Sequence, residues 1–134
     1  MRQDLVRLGF KELRTPEEVD QTLAKVTEPT LVVVNSVCGC AAGALRPAVA
    51  LSLWDEEAPR PVNLATVFAG QDLDATQRAR EYFTGYAPSS PSVALLKEGE
   101  LVWMLERHQI EGRPPQMIAA ALRHAYEEHC RPAA

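Results

Sequence analysis

Leu31-Val32-Val33-Val34 is a continuous apolar run, β-branched at three positions, and predicts a strand buried on both faces. Val62 to Phe68 predicts a second buried strand. Val93 to Leu96 and Leu101 to Leu105 are strand-like segments separated by Glu98-Gly99-Glu100, which predicts a tight turn and a hairpin. Helical patterns fill the rest. Residues 2–8 read as a short helix. Thr15-Pro16-Glu17-Glu18 starts another: Thr15 caps, Pro16 suits the first helical position and Glu18 closes a capping box. That helix extends to about Val26, and Pro29 ends the region. Residues 41–54 read as a helix with Pro47 as a kink or restart, and 72–83 as another. Pro114 to His129 predicts a final helix with Met117, Ile118, Ala121, Leu122 and Ala125 on its apolar face.

The order is helix, strand, helix, strand, helix, hairpin, helix. The first two strands with their crossover helix predict a parallel unit, and the hairpin must add antiparallel pairing. The class is α/β with a mixed sheet flanked by helices, and periodicity alone leaves several such folds open. A length of 134 residues suits one domain, 1–134, with no repeat or linker dividing it. A net charge of -4 with scattered Arg and Lys argues against nucleic acid as a partner. No apolar run approaches the roughly 20 residues of a membrane helix. The opening MRQDLVRLGF lacks the features of a secretory signal, so the expected compartment is the cytoplasm.

Three cysteines, two of them one residue apart, do not make a disulfide framework. Paired cysteines in a reducing compartment are redox-active or metal-binding more often than structural. Cys38 stands between the end of a predicted buried strand and the start of a helix, where open α/β sheets hold their reactive groups. Unpaired N–H groups and the helix dipole favour a thiolate there. Gly39 tolerates the turn that brings positions i and i+2 within disulfide reach, and so small a ring should be strained and easily reduced. Ser90-Pro91 is a place where a cis peptide can occur; beside the cysteines it would present backbone groups of Ser90 to an extended substrate, and an ordinary loop proline is the alternative. Cys130 reads as an incidental surface thiol, and Trp54 and Trp103 as core or groove residues.

Three segments resemble the bacilliredoxin family: Asn35-Ser36-Val37-Cys38-Gly39-Cys40-Ala41-Ala42-Gly43 with Arg46-Pro47; Glu81 to Tyr86 with Pro88-Ser89-Ser90-Pro91-Ser92; and Glu106-Arg107-His108-Gln109-Ile110-Glu111-Gly112-Arg113. The resemblance implies a thioredoxin-like fold with an N-terminal helical extension, Pro91 in cis, and Cys38 attacking mixed disulfides between protein thiols and bacillithiol. It implies no tightly bound cofactor, bacillithiol as co-substrate, and S-thiolated client proteins and a low-molecular-weight thiol as partners. Family members have also been regarded as weak disulfide isomerases. Classical thioredoxins carry a buried acid in the strand before the motif; Leu31 to Val34 has none, so another group must handle the proton.

In such a sheet the strand after Pro91 leaves the cysteine edge and Leu101 to Leu105 returns to it. Arg107, His108 and the loop through Gly112 are therefore expected near Cys38, with His108 handling protons or merely fixing the loop. Arg107 or Arg113 would meet carboxylates of a small thiol. Three other readings stay open: a general disulfide isomerase or oxidant, a metal module using Cys38, Cys40 and His108, and a redox-switched adaptor. Zinc wants four ligands, or three and a water, and local spacing fixes two, so no metal site is expected.

Overall fold

A computed structural model of the chain describes residues 5–24, 27–36, 41–54, 57–86 and 90–130, the side chains of 41 and 42 excepted. The expectations for residues 2–4, Val26, Pro88 and Ser89, and for Cys38, Gly39 and Cys40, fall outside these residues. Strand β1 is Lys11–Glu12, helix α1 Pro16–Leu23 and strand β2 Thr30–Asn35. A π-helical turn, Ala41–Leu45, leads into α2, Arg46–Ser52. Then come β3 Asn63–Phe68, α3 Leu73–Glu81, β4 Ser92–Lys97, β5 Glu100–Leu105, α4 Arg107–Ile110 and α5 Pro115–His129. The sheet order is β1-β3-β2-β4-β5. Strands β2 and β3 are parallel, with Thr30 opposite Asn63 and Asn35 opposite Phe68. Strands β4 and β5 add antiparallel pairing. This is the expected mixed α/β sheet.

Side chains alternate across the sheet with the strand period of two. Leu31, Val33, Val93 and Leu95 face one core with α2 and α5, built from Leu45, Val49, Ile118, Leu122 and Tyr126. Val32, Val34, Ala94 and Leu96 face a second core with α1 and α3, built from Val19, Leu23, Ala75 and Phe83. A strand that feeds both cores needs an unbroken apolar run, which is why β2 and β4 read so clearly. Between β4 and β5, Glu98 (φ 56°) and Gly99 (φ 78°) form a two-residue turn with both residues left-handed, the geometry whose twist matches a hairpin.

Local chemistry explains most boundaries. The Glu18 N–H donates to Thr15 Oγ1 at 3.2 Å, so Thr15 caps α1. The return arm of the expected box differs: the Glu18 carboxylate accepts from the Arg14 N–H at 3.4 Å. Helix α1 stops at Leu23, short of Val26. Pro47 lies in the first turn of α2, directly after the π turn, and Leu45 at their join keeps right-handed helical dihedrals, so the helix runs through the proline with a π distortion and the kink is the form taken. The N-terminal segment is not helical throughout. Of the helix expected over 2–8, Leu5 and Val6 are helical and residues 7–9 form a turn; beyond it Lys11 and Glu12 join the sheet parallel to β3, a strand too short to show a period.

Two expectations about apolar residues are corrected. Met117 is 54% exposed and the buried stripe of α5 runs through Ile118, Ala119, Leu122, Ala125 and Tyr126. Tyr126 belongs to it because Ser52 Oγ satisfies its hydroxyl at 2.9 Å inside the core. Trp54 is 86% exposed, just past the end of α2, so it is neither core nor groove. Trp103 does pack against the first core.

The corrected stripe gives a direct test. Leu122→Ala should cost about 2–5 kcal/mol of unfolding free energy, and Met117→Ala should stay within about 0.5 kcal/mol of the parent. Urea unfolding followed by circular dichroism measures both, and equal losses would contradict the placement.

Candidate functional site

The register brings four element ends to one edge of the sheet. Strand β2 ends there at Asn35, opposite the end of β3 at Phe68. Strand β4 begins there, with Ser92 opposite Val34, and β5 ends there, with Leu105 opposite Val93. Residues 37–40 follow β2 at this edge in sequence, so the edge is the candidate site, although the placements expected for Cys38, Gly39 and Cys40 lie outside the described residues.

Ser90-Pro91 precedes β4, and its peptide bond is cis. Pro91 is buried and Ser90 is half-buried. The Ser90 carbonyl, one of the backbone groups expected to serve a substrate, accepts a hydrogen bond from Arg107 Nη1 at 3.1 Å. Arg107 also pairs with Glu111 one turn on. The guanidinium thus spans the proline turn and the β5–α4 junction at the sheet edge where β2 ends, while its expected neighbourhood to Cys38 lies outside the described residues.

His108 follows on α4 and is exposed, with no hydrogen-bond partner among the described residues. The helix itself was not foreseen. Glu106 and Gln109 form a reciprocal capping box, the Glu106 N–H donating to Gln109 Oε1 at 2.9 Å. The signal was present as Glu106-x-x-Gln109, a version of the box with an unusual acidic cap. Arg113 is exposed beyond the helix.

One participant carried no expected role. Arg46, the first residue of α2, is buried at 8% exposure. Its Nη1 donates to Asn35 Oδ1 at 3.1 Å and to the Ser36 carbonyl at 3.4 Å. Asn35 Oδ1 also accepts from the Ser36 N–H at 2.9 Å. The Asn35 carbonyl accepts from the Ala69 N–H at 3.0 Å, fixing the strand end to the β3 side. A buried guanidinium needs such acceptors to offset its desolvation. Polar residues bracketing a cysteine motif were the available signal.

Cys130 is corrected from a surface thiol to a half-buried one packed on the first core. Burial pushes its thiol up to about 11, so it is a weak nucleophile at neutral pH. Among the described residues, no group of three or more His, Cys, Asp and Glu could hold a metal ion, and no helix is long and apolar enough to cross a membrane.

Alkylation of the Cys130 peptide, followed by mass spectrometry, should therefore rise with pH around 11 rather than around the ordinary value near 9. The folded state holds its proton more tightly than the unfolded state. Stability present below pH 9 should be lost as pH rises toward 11, and Cys130→Ala should lose less across that window. Rapid labelling at pH 7 would contradict the burial.

Comparison with known proteins agrees with this architecture. A family model described as "Disulphide isomerase" matches residues 1–130. A bacilliredoxin of Bacillus anthracis is 56% identical over 129 residues, covering 96% of this chain and 88% of that protein. One from Halalkalibacterium halodurans is 53% identical over 130 residues, covering 96% and 87%. Among solved structures, the thioredoxin of Fasciola hepatica superposes with a TM-score of 0.61 at 17% identity, covering 90% of this chain and 99% of that one. Malassezia sympodialis thioredoxin gives 0.63 at 13%, covering 91% of each. The structural likeness carries the fold and the sequence likeness carries the family, and together they make the chain a thiol–disulfide oxidoreductase of thioredoxin fold that belongs to the bacilliredoxin family.

Proposed function

We propose that the chain acts in the cytoplasm, as one domain over residues 1–134, to reduce mixed disulfides between protein cysteines and bacillithiol. In this reading the Cys38 thiolate attacks the bacillithiol sulfur, and the client protein leaves as its thiolate. Cys40 then attacks the Cys38 sulfur, releases bacillithiol as a thiolate and closes a Cys38–Cys40 disulfide. Two equivalents of a low-molecular-weight thiol would return the pair to the dithiol, themselves becoming a disulfide. Bacillithiol is a co-substrate here, with no tightly bound cofactor, no metal, and neither nucleic acid nor membrane as partner.

The observation that carries this reading is the convergence of the end of β2, the Ser90–Pro91 turn and Arg107 on one sheet edge. The family name of the relatives supports the choice of small thiol. Gly39, Ser90 and Pro91 would line the approach of the client. Arg107 would meet a carboxylate of the small thiol, and His108, exposed on the same junction, would pass protons to and from the reacting sulfurs. The description of the matched family model favours a second reading, isomerisation of protein disulfides. Parallel assays on a bacillithiolated protein and on a scrambled-disulfide protein separate the two, and faster turnover of the scrambled substrate would select the second.

Cys38→Ala should reduce turnover to the uncatalysed rate, whereas Cys40→Ala should still accept one bacillithiol per chain, read by intact mass. Equal loss of adduct formation in the two variants would sink the assignment of Cys38 as nucleophile. His108→Ala should change the pH profile of turnover, because the variant lacks the group assigned to proton transfer. A superimposable profile would remove His108 from the mechanism.

A further inference from the structure

We propose that Arg46 is a positioning residue for the thiol pair: its buried guanidinium, clasped to Asn35 and Ser36, ties together the two ends of the segment that carries Cys38 and Cys40. The proposal rests on the reading of Cys38 and Cys40 as the redox pair. Its physical basis is the set of contacts on either side of that segment. On one side, Asn35 is the last residue of β2, almost fully buried, held through its carbonyl by the Ala69 N–H. On the other, Arg46 opens α2, a helix seated in the first core by Ala48 and Val49. Between these two fixed bodies the guanidinium reaches Asn35 Oδ1 at 3.1 Å and the Ser36 carbonyl at 3.4 Å. The Ser36 N–H on Asn35 Oδ1, at 2.9 Å, makes one amide oxygen the meeting point of strand end, following residue and helix start.

Two thiols close a disulfide only when their Cα atoms lie within about 4.4–6.8 Å with the correct torsion. Closure is helped by anything that limits the other conformers of the dithiol segment, because that raises the effective concentration of one thiol at its partner. Fixing the ends of the segment has this effect. Arg suits the task because Nη1 carries two N–H groups that serve both acceptors, and the planar guanidinium fixes their directions. Lys offers its N–H donors on a flexible tetrahedral ammonium, without that fixed direction.

The reaction to measure is oxidation of the dithiol by glutathione disulfide: Cys38 and Cys40 lose two protons and two electrons and join, and glutathione disulfide is reduced to two thiols. In a Cys130→Ala background, the equilibrium constant is read by alkylation and intact mass over a range of glutathione ratios. The clasp acts on the equilibrium only by restricting the dithiol and so raising the effective concentration of one thiol at the other, an effect of about 10-fold on the scale of such positioning. Arg46→Met should lower the constant for closing the protein disulfide by about 10-fold, Asn35→Ala should do nearly the same, and the double variant should add little, because both remove one clasp. Arg46→Lys should fall between parent and Arg46→Met. If Arg46→Met does not fold, Arg46→Lys and Asn35→Ala carry the test. Variants that melt earlier but keep the parental constant would make Arg46 a packing residue and overturn the proposal while leaving the redox pair intact. A parent protein that forms no Cys38–Cys40 disulfide under these conditions would overturn the pair itself, and the role of Arg46 with it.

Discussion

Strand β2 is buried from Thr30 to Asn35 and is hydrogen-bonded along its length to a parallel neighbour on one side and an antiparallel one on the other. Everything that concerns the candidate site follows from the rigidity of this strand. Its odd-numbered apolar residues hold α2 and α5, and its even-numbered ones hold the layer of α1 and α3. A one-residue slip in its register would exchange the two sets and break both cores at once. The end of β2 is therefore among the best-fixed points of the molecule, and the sequence that follows it inherits a defined starting position and direction. The start of β4 and the end of β5 are referred to the same strand through their pairing, so the proline turn and Arg107 are located by the same constraint.

Elements whose pattern reports burial were the ones legible in the sequence. Leu31 to Val34 and Val93 to Leu96 contact cores on both faces, and nothing but an apolar run satisfies both. The parallel β2–β3 unit followed from the crossover helix read between its two strands. Strand β1 was missed because two residues carry no period, and it joins the sheet through tertiary context. The face of α5 was misjudged at Met117 because apolar character alone does not distinguish Met from Tyr as a core residue; Tyr126 is buried because Ser52, far away in sequence, supplies its hydroxyl with a partner. Trp54 shows the converse, a large apolar side chain left in solvent where the helix ends.

The site was legible wherever its chemistry is local. The cis Ser90–Pro91 bond matches what the family resemblance implies, and β5 returns to the edge where β2 ends, as the topological argument required. The Asn35–Arg46 clasp was not visible, although both residues stood in the quoted motif. A polar residue beside a cysteine motif has many uses, and the choice among them depends on which side chains the fold brings within hydrogen-bond distance. The Ser90 carbonyl teaches the same point, since sequence identified it as a backbone group for recognition and only the structure shows Arg107 donating to it.

The brevity of β1 bears on how the molecule avoids its own copies. Strand β3 is six residues long, and without a neighbour on its outer side it would offer a row of open amide and carbonyl groups to any chain that met it. Lys11 and Glu12 cover Ala65 and Thr66, and the Leu13 N–H caps the Thr66 carbonyl. The sheet then terminates in two residues with charged side chains, a margin too short to template a further strand. On the opposite margin, the register shifts between Leu95 and Leu96, so that Val102 is an extra residue on β5 and interrupts the regular ladder of the edge. The segment ahead of the first helix thus acts as a hem along the sheet, and its sequence is answerable to colloidal behaviour as well as to folding.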